Sequence, residues 1–136
     1  MTHAATVTTA VRNKQLLRAA YAEAARGNTR YFRGLYADGV TWFMIGTTTW
    51  SKRCVGKQAI SDMFVRLYTL FTATHTVTAH RFIAEDDLVV VECRGAAMTR
   101  AGKPYHDTCC MIFQLADGKI TEVIECCDPA VIDAAR

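Results

Sequence analysis

In the second half of the chain, polar and apolar residues alternate over four segments that are separated by short turn-forming sequences. The segments are 75–84, 88–99, 104–115 and 119–128. The last turn, Asp117-Gly118, has the composition of a tight hairpin. A period of two belongs to strands, because successive side chains point to opposite faces of a sheet. The pattern therefore predicts four consecutive antiparallel strands, and it limits the fold to one built around a sheet.

The first half of the chain has the period of a helix. Apolar residues recur at helical spacing over 12–26 and stop at Gly27, a residue typical of the position beyond a helix end. Asn28 can cap a second, shorter helix that ends near Asp38. The longest apolar stripe predicts a third helix over 57–73. Residues 1–11 show no period, and we expect a flexible arm there.

The remaining segments complete an α+β order. Val40–Ile45 is rich in β-branched and aromatic residues, which predicts a strand before the four others. The polar, Thr-rich stretch Gly46–Cys54 is then expected to be a loop that could border a pocket. Asp128-Pro129 fits the cap and first position of a last helical turn. No repeat is visible, so we expect residues 1–136 to form a single domain.

Composition restricts the partners of the protein. The 136 residues are 51% apolar, and the 16 basic residues are scattered among 13 acidic ones. We therefore expect a buried core and no nucleic-acid partner. No segment reaches the ~18 apolar residues of a membrane span. Because Met1-Thr2-His3 also lacks the features of a signal peptide, a cytoplasmic protein without membrane contact is expected.

Six cysteines are expected to be reduced thiols that act as small buried apolar residues. They are Cys54, Cys93, Cys109, Cys110, Cys126 and Cys127. Neighbouring residues of a strand point to opposite faces, so the two Cys-Cys pairs are poorly placed to bind one ion. We therefore expect neither a metal nor another cofactor.

Alternation also predicts which side chains share a face. In the strand 104–115, Asp107 and Cys109 lie on one face and His106 lies on the other. Both faces are largely apolar, which indicates that helices cover one face and that a second subunit, forming a homodimer, covers the other. In the last strand, Glu125 follows Val123 on one face, between apolar neighbours.

A carboxyl group at such a position must be paired, or neutral with a raised pKa, and the second state suits a general acid or base. We predict Glu125 and Asp107 as acid/base residues, with Arg94 orienting or neutralising them. The register of strand 88–99 leaves open whether Glu92 and Arg94 or Cys93 face inward. The alternative is a purely structural salt bridge from Arg94 to one of the carboxylates.

An apolar wall is predicted on the same side of the sheet. Trp42 and Met44 share a face of the first strand, where core packing is their default role and a pocket wall is the alternative. His75 and His80 are expected at the surface or at an edge. The predicted ligand-contacting residues are Trp42, Met44, Phe64, Tyr68, Glu92, Cys109, Val123 and Cys127.

The order of the elements, with three short motifs, resembles the SnoaL-like and ketosteroid-isomerase-like branch of the nuclear-transport-factor-2 (NTF2) superfamily over residues 12–134. The motifs are Tyr36-Ala37-Asp38, Tyr105-His106-Asp107-Thr108-Cys109 and Asp117-Gly118-Lys119-Ile120. The resemblance implies an NTF2-like cone, a curved antiparallel sheet that is wrapped by three helices of the N-terminal half. It also implies an inner pocket for a small apolar molecule, a homodimer through the outer sheet face, and an inward position for Asp107 and Glu125.

The resemblance further implies a cofactor-free enzyme that isomerises, cyclises or dehydrates an apolar carbonyl compound. The two aspartates of ketosteroid isomerases would fall at Met44 and Cys109, so their mechanism is not expected. A hydrolase similar to limonene-epoxide hydrolase is the second choice, because those proteins have an Asp at the place of Glu125 and a pair similar to Arg94 and Glu92. A non-catalytic ligand-binding or dimerisation module is the third. A cavity of about 300 Å³ or more with an unpaired carboxylate would favour an enzyme.

Overall fold

The computed structural model describes residues 7–72 and 75–136. Within them, the predicted α+β order is confirmed, with three helices in the first half and four long strands in the second. The elements are α1 (Thr9–Ala25), α2 (Arg30–Leu35), β1 (Tyr36–Met44), β2 (Arg53–Val55), α3 (Lys57–Tyr68), β3 (Thr76–Glu85), β4 (Leu88–Met98), β5 (Pro104–Ala116), β6 (Lys119–Cys126) and α4 (Pro129–Asp133).

The six strands form one curved, unclosed sheet in the order β2-β1-β6-β5-β4-β3. Strands β3 to β6 are the predicted antiparallel meander. Strand β1 lies parallel to β6, with Trp42 opposite Val123 and Met44 opposite Glu125. The first and last long strands are therefore neighbours, which brings the predicted apolar wall beside the predicted acid/base residue.

The first helix begins earlier than the sequence pattern suggests. The Thr8 hydroxyl accepts a hydrogen bond of 3.2 Å from the Val11 amide and caps α1 at Thr9. Residues 9–11, predicted as part of a flexible arm, are therefore the first turn of the helix. Residues 1–6 of that predicted arm lie outside the described part of the chain.

Two other boundaries differ for local reasons. Helix α2 ends at Leu35 because Tyr36 is already extended and pairs with Ile120, so β1 starts four residues before the predicted Val40. The predicted loop Gly46–Cys54 ends in β2, which pairs with β1. Helix α3 ends at Tyr68, before the predicted residue 73, which lies outside the described residues.

The cap of the last helix is confirmed, since the Asp128 carboxylate accepts a hydrogen bond of 3.0 Å from the Ala130 amide. Helix α1 packs on β3 and β4, and α3 packs on β1 and β2. The core lies between these helices and the inner sheet face, where Val91, Phe113 and Val123 are fully buried. Among the described residues, no helix is long and apolar enough to cross a membrane.

Candidate functional site

A cavity of about 320 Å³ lies between the inner face of the sheet and the three N-terminal helices. Its walls are mostly apolar and aromatic. The predicted wall residues Trp42, Met44, Phe64 and Tyr68 all border it. The Trp42 and Phe64 rings meet edge to face at 5.3 Å. Trp50, from the loop that was expected to border a pocket, lies on it as well.

Glu125 reaches this cavity from the end of β6. Its Oε2 accepts a hydrogen bond of 3.0 Å from the Trp42 indole N–H, and its Oε1 lies 3.9 Å from the Cys109 Sγ. None of the ion pairs among the described residues involves Glu125. Burial raises the pKa of the Glu125 carboxyl to about 7, although the Trp42 N–H opposes the shift. The group can therefore both accept and give up a proton near neutral pH.

The register of β4 turns two predicted site residues away from the cavity. Cys93 pairs with Cys109 and is buried, so its neighbours Glu92 and Arg94 are exposed on the outer face. Glu92 contacts Arg81 there, at 3.2 Å. The predicted site roles of Arg94 and Glu92 are therefore wrong. The alternative salt bridge from Arg94 to an inner carboxylate is wrong for the same reason.

Asp107 faces inward from β5, as predicted, and borders the cavity. Its Oδ1 accepts a hydrogen bond of 2.9 Å from the Gly95 amide, and its Oδ2 accepts one of 2.6 Å from the Tyr105 hydroxyl. A Cβ on Gly95 would stand only 2.9 Å from His75 Nε2 and closer still to Asp107 Oδ1. The lack of a side chain at Gly95 is thus what allows Asp107 and His75 to approach each other.

The replacement Gly95→Ala is expected to lower the free energy of unfolding by about 1–3 kcal/mol, because the added methyl group overpacks this wall. Asp107 would have to leave the Gly95 amide, and His75 would have to move. Urea unfolding measures the effect. The matched control is Gly39→Ala in β1, where a Cβ meets nothing within 4 Å. Equal stabilities of the two variants would show that Asp107 and His75 do not need the space that Gly95 leaves open.

His75 is the histidine on the cavity wall, and the sequence pattern did not place it there. It precedes β3, stacks on Phe71 at 5.3 Å and meets the Tyr105 ring edge-on at 6.0 Å. Its Nε2 is buried without a hydrogen-bond partner in the described part of the protein. Burial lowers the pKa of His75, and the negative charge of Asp107 opposes that shift. Of the two expected positions, the surface is therefore wrong, whereas an edge is consistent with the structure, because His75 directly precedes β3, the edge strand of the sheet.

The face of His75 follows from an irregularity in β3. The pairing of β3 with β4 shifts between Ala79 and Arg81, which is a bulge or similar break in register. Phe82 packs against the core on one side of the break, and Val77 borders the cavity on the other. Side chains five residues apart thus share a face, which strict alternation forbids. The sequence gives no sign of this break, and strict alternation counted back from Phe82 would put His75 on the outer face. The inner position of His75 could therefore not be predicted.

Two predicted contact residues lie beside Glu125 without forming a site of their own. The ligand atoms of Cys109, Cys127 and Glu125 lie within 4.8 Å of one another, close enough to bind a single metal ion. The hydrogen bond with Cys127 and burial raise the pKa of the Cys109 thiol. The two thiols lie 3.9 and 4.0 Å from Glu125 Oε1, at the distance of weak hydrogen bonds to that oxygen. The raised pKa of Cys109 disfavours its thiolate, so the structure gives no sign that this thiol is activated as a nucleophile. Val123 packs in the core.

Comparison with known proteins identifies what this arrangement resembles. A family model described as a SnoaL-like domain matches residues 17–123. No curated protein matches the sequence. Several solved structures are similar over nearly the whole chain. At identities below 25%, these structures establish the fold alone.

Three of these structures illustrate the similarity. An NTF2-like protein of unknown function from Burkholderia pseudomallei is 14% identical, with a TM-score of 0.81 and coverage of 95% of this chain and 98% of that one. A putative SnoaL-like polyketide cyclase from Jannaschia sp. CCS1 is 17% identical, with a TM-score of 0.78 and coverage of 98% and 96%. TerC, co-crystallised with polyporic acid, is 17% identical, with a TM-score of 0.78 and coverage of 90% and 96%. The NTF2-like cone implied by the sequence is therefore confirmed.

Proposed function

The chain belongs to the SnoaL-like domain family, and on that premise we propose that it is a cofactor-independent acid/base enzyme of the isomerase, cyclase or dehydratase type. Its substrate is a small apolar carbonyl compound, and Glu125 transfers the proton. The family assignment by itself does not specify a reaction, because one fold carries many functions. The chemistry of the cavity supports this choice.

The observation that carries the proposal is the state of Glu125. Its carboxyl group lies in an apolar cavity, is bonded to the Trp42 N–H and has no cationic partner among the described ion pairs. A carboxyl with a pKa of about 7 is poised to exchange protons at neutral pH, whereas a structural carboxylate is held ionised by a cation. Proton transfer is therefore the function that explains why an acid is kept at this place.

The dimensions of the cavity support a small, flat substrate. Its volume of about 320 Å³ exceeds the ~300 Å³ that ligand pockets require. Trp42, Phe64 and Tyr68 present aromatic surface to it. TerC, a structural relative, was co-crystallised with polyporic acid, a small organic acid. A ligand that combines flat apolar surface with a carbonyl oxygen suits the aromatic wall and the Glu125 carboxyl of this cavity.

The two other candidate functions fit less well. The analogy to limonene-epoxide hydrolase needs an acidic and a basic residue beside Glu125, and Glu92 and Arg94 lie on the outer face. A non-catalytic binder was expected to lock its carboxylates with Arg94, which the same register prevents. The homodimer through the outer sheet face and the cytoplasmic location stay predictions.

Proton exchange tests the proposal without knowledge of the natural substrate. β-Tetralone is an apolar ketone with acidic C–H groups beside its carbonyl. In heavy water at neutral pH, the protein is expected to speed the replacement of these protons by deuterium, followed by proton NMR. Binding of polyporic acid is measured in parallel by the change in its absorption spectrum. Binding without exchange would indicate a non-catalytic binder, and absence of both would contradict the proposal.

A further inference from the structure

The cavity contains a second group that can exchange protons, and it lies outside the machinery described so far. His75 borders the same cavity as Glu125 and is held between aromatic rings of Phe71 and Tyr105. The imidazole is thus fixed in position by packing. A fixed histidine on the wall of an apolar cavity with its own acidic residue is an arrangement typical of proton transfer.

The negative charge of Asp107 favours one of the two nitrogens of His75 as the site of the proton. His75 Nε2 and Asp107 Oδ1 crowd the same point in space, the position of the Cβ that Gly95 lacks. A lone pair on Nε2 would face the negatively charged oxygen, whereas an N–H would be attracted to it. Although no hydrogen bond joins the two residues, the charge of Asp107 therefore favours the proton on Nε2, which leaves the lone pair on Nδ1. Asp107 itself is held by the Gly95 amide and the Tyr105 hydroxyl.

We propose that His75 is a second catalytic residue of this site and that Asp107 positions it, an inference that rests on the proposed function of Glu125. Nδ1 of neutral His75 takes a proton from the carbon beside the carbonyl. The C–H bonding pair forms a C=C bond, the carbonyl π pair moves to oxygen, and that oxygen takes the proton of the Glu125 carboxyl. The products are an enol, an imidazolium beside Asp107 and a Glu125 carboxylate. In the reverse step the imidazolium returns a proton to the carbon, the enol O–H returns its proton to the Glu125 carboxylate and the carbonyl re-forms, so both residues are restored. In heavy water the imidazolium proton exchanges with solvent before this return, which places deuterium on the carbon.

Other titratable groups face these two residues. Around Glu125 they are Tyr21 on α1, Tyr36 on β1, Cys93 on β4, Asp107 and Cys109 on β5, and Cys127 after β6. Around His75 they are Tyr68 on α3 and Asp107 and Tyr105 on β5. The exposed cation Arg33 of α2 also borders the cavity.

Most of these groups stay neutral where the enzyme would work. Burial raises the pKa of all four tyrosines and raises that of Cys93 to about 11. Burial also lowers the pKa of His75, so its imidazole is neutral at pH values where the Glu125 carboxyl, with its pKa of about 7, still holds its proton. Both residues are then in the states that the proposed step requires.

The dependence of the exchange rate on pH tests whether His75 is the base and Glu125 the acid. The rate of β-tetralone exchange is expected to fall as the pH rises through about 7, because Glu125 loses the proton that it must donate. It is also expected to fall on the acidic side, because His75 becomes protonated. A rate that instead rises to a plateau above neutral pH would make Glu125 the base. That outcome overturns the role of His75 and leaves the proposed function intact.

The variant His75→Gln is expected to lower the exchange rate by about a hundredfold or more, since the amide cannot take up a proton. It is also expected to abolish the acidic fall of the profile. His80→Gln, an exposed position of β3, is the matched control and should leave the rate unchanged. Circular dichroism checks that both variants fold. A His75→Gln rate equal to that of the wild type would overturn the proposal.

A second measurement needs no variant of His75 and no substrate. Nitrogen NMR of protein with labelled histidines is expected to show the Nε2–H tautomer at His75, and Asp107→Asn is expected to weaken that preference. A wild-type protein with the proton on Nδ1 would overturn the proposal for His75 alone. Failure of the wild type to exchange β-tetralone would contradict this proposal together with the function on which it rests.

Discussion

Replacing Glu125 by Gln is expected to slow β-tetralone exchange by about a hundred- to ten-thousand-fold, the range that a general acid or base contributes. Glutamine has the same shape, and its amide oxygen can still accept the hydrogen bond from Trp42. It cannot gain or lose a proton near neutral pH. The variant therefore removes the chemistry and keeps the packing. Binding of polyporic acid should change little, so the loss is one of turnover.

The matched control for this change is Glu122→Gln. Glu122 is on the same strand, but it lies 3.9 Å from Arg53 and does not border the cavity. Its replacement should leave the exchange rate at the wild-type value. An active Glu125→Gln variant would contradict the proposed function, because no step could then depend on that proton. A slow Glu122→Gln variant would show that any loss of charge on β6 is harmful.

The stability of the wild type relative to the Glu125→Gln variant is expected to fall by about 2–3 kcal/mol between pH 4.5 and 7. In the folded protein the Glu125 carboxyl holds its proton up to a pKa of about 7, whereas in the unfolded chain it releases the proton near 4.5. The folded state thus binds more protons within this interval. Raising the pH therefore favours unfolding of the wild type and leaves the neutral glutamine variant unaffected at this position.

Urea unfolding of both proteins across this pH range measures the effect. The difference between the two proteins cancels the contributions of the other acidic groups that both share. The difference should change mainly below pH 7 and level off above it, where Glu125 is ionised in both states. A difference that is independent of pH would show that Glu125 has an ordinary pKa. Burial of Glu125 would then not raise its pKa, and the main support for the proposed function would be lost.

Several features of the site could be predicted because they depend on local periodicity. Alternation in β5 places Asp107 and Cys109 on one face, alternation in β6 places Glu125 with Val123, and the family resemblance implied that these faces are the inner ones. All three of Asp107, Cys109 and Glu125 border the cavity. The wall formed by Trp42 and Met44 follows from the same rule in β1. Once the inner face of a strand is assigned, alternation gives the orientation of all its side chains.

In strand β4 the inner face could not be assigned from the sequence. One face of its centre carries Val91 and Cys93 and the other carries Glu92 and Arg94, so either face could be the inner one if the charged pair belonged to a site. A polar site residue and a polar surface residue look the same in the sequence. The pairing of Cys93 with Cys109 settles the register, and that pairing joins residues that are sixteen positions apart.

By itself, the sequence determined the α+β order, the four-strand meander, the cap at Asp128 and which residues share a face of β5 and of β6, because each depends on neighbours within a few residues along the chain. Only the tertiary structure decided the parallel pairing of β1 with β6, the outward turn of Arg94, and the approach of His75 to Asp107 across Gly95. These features depend on contacts between distant segments and on the break in β3. Such contacts form when whole elements pack together, and a local hydrophobic period contains no information about them.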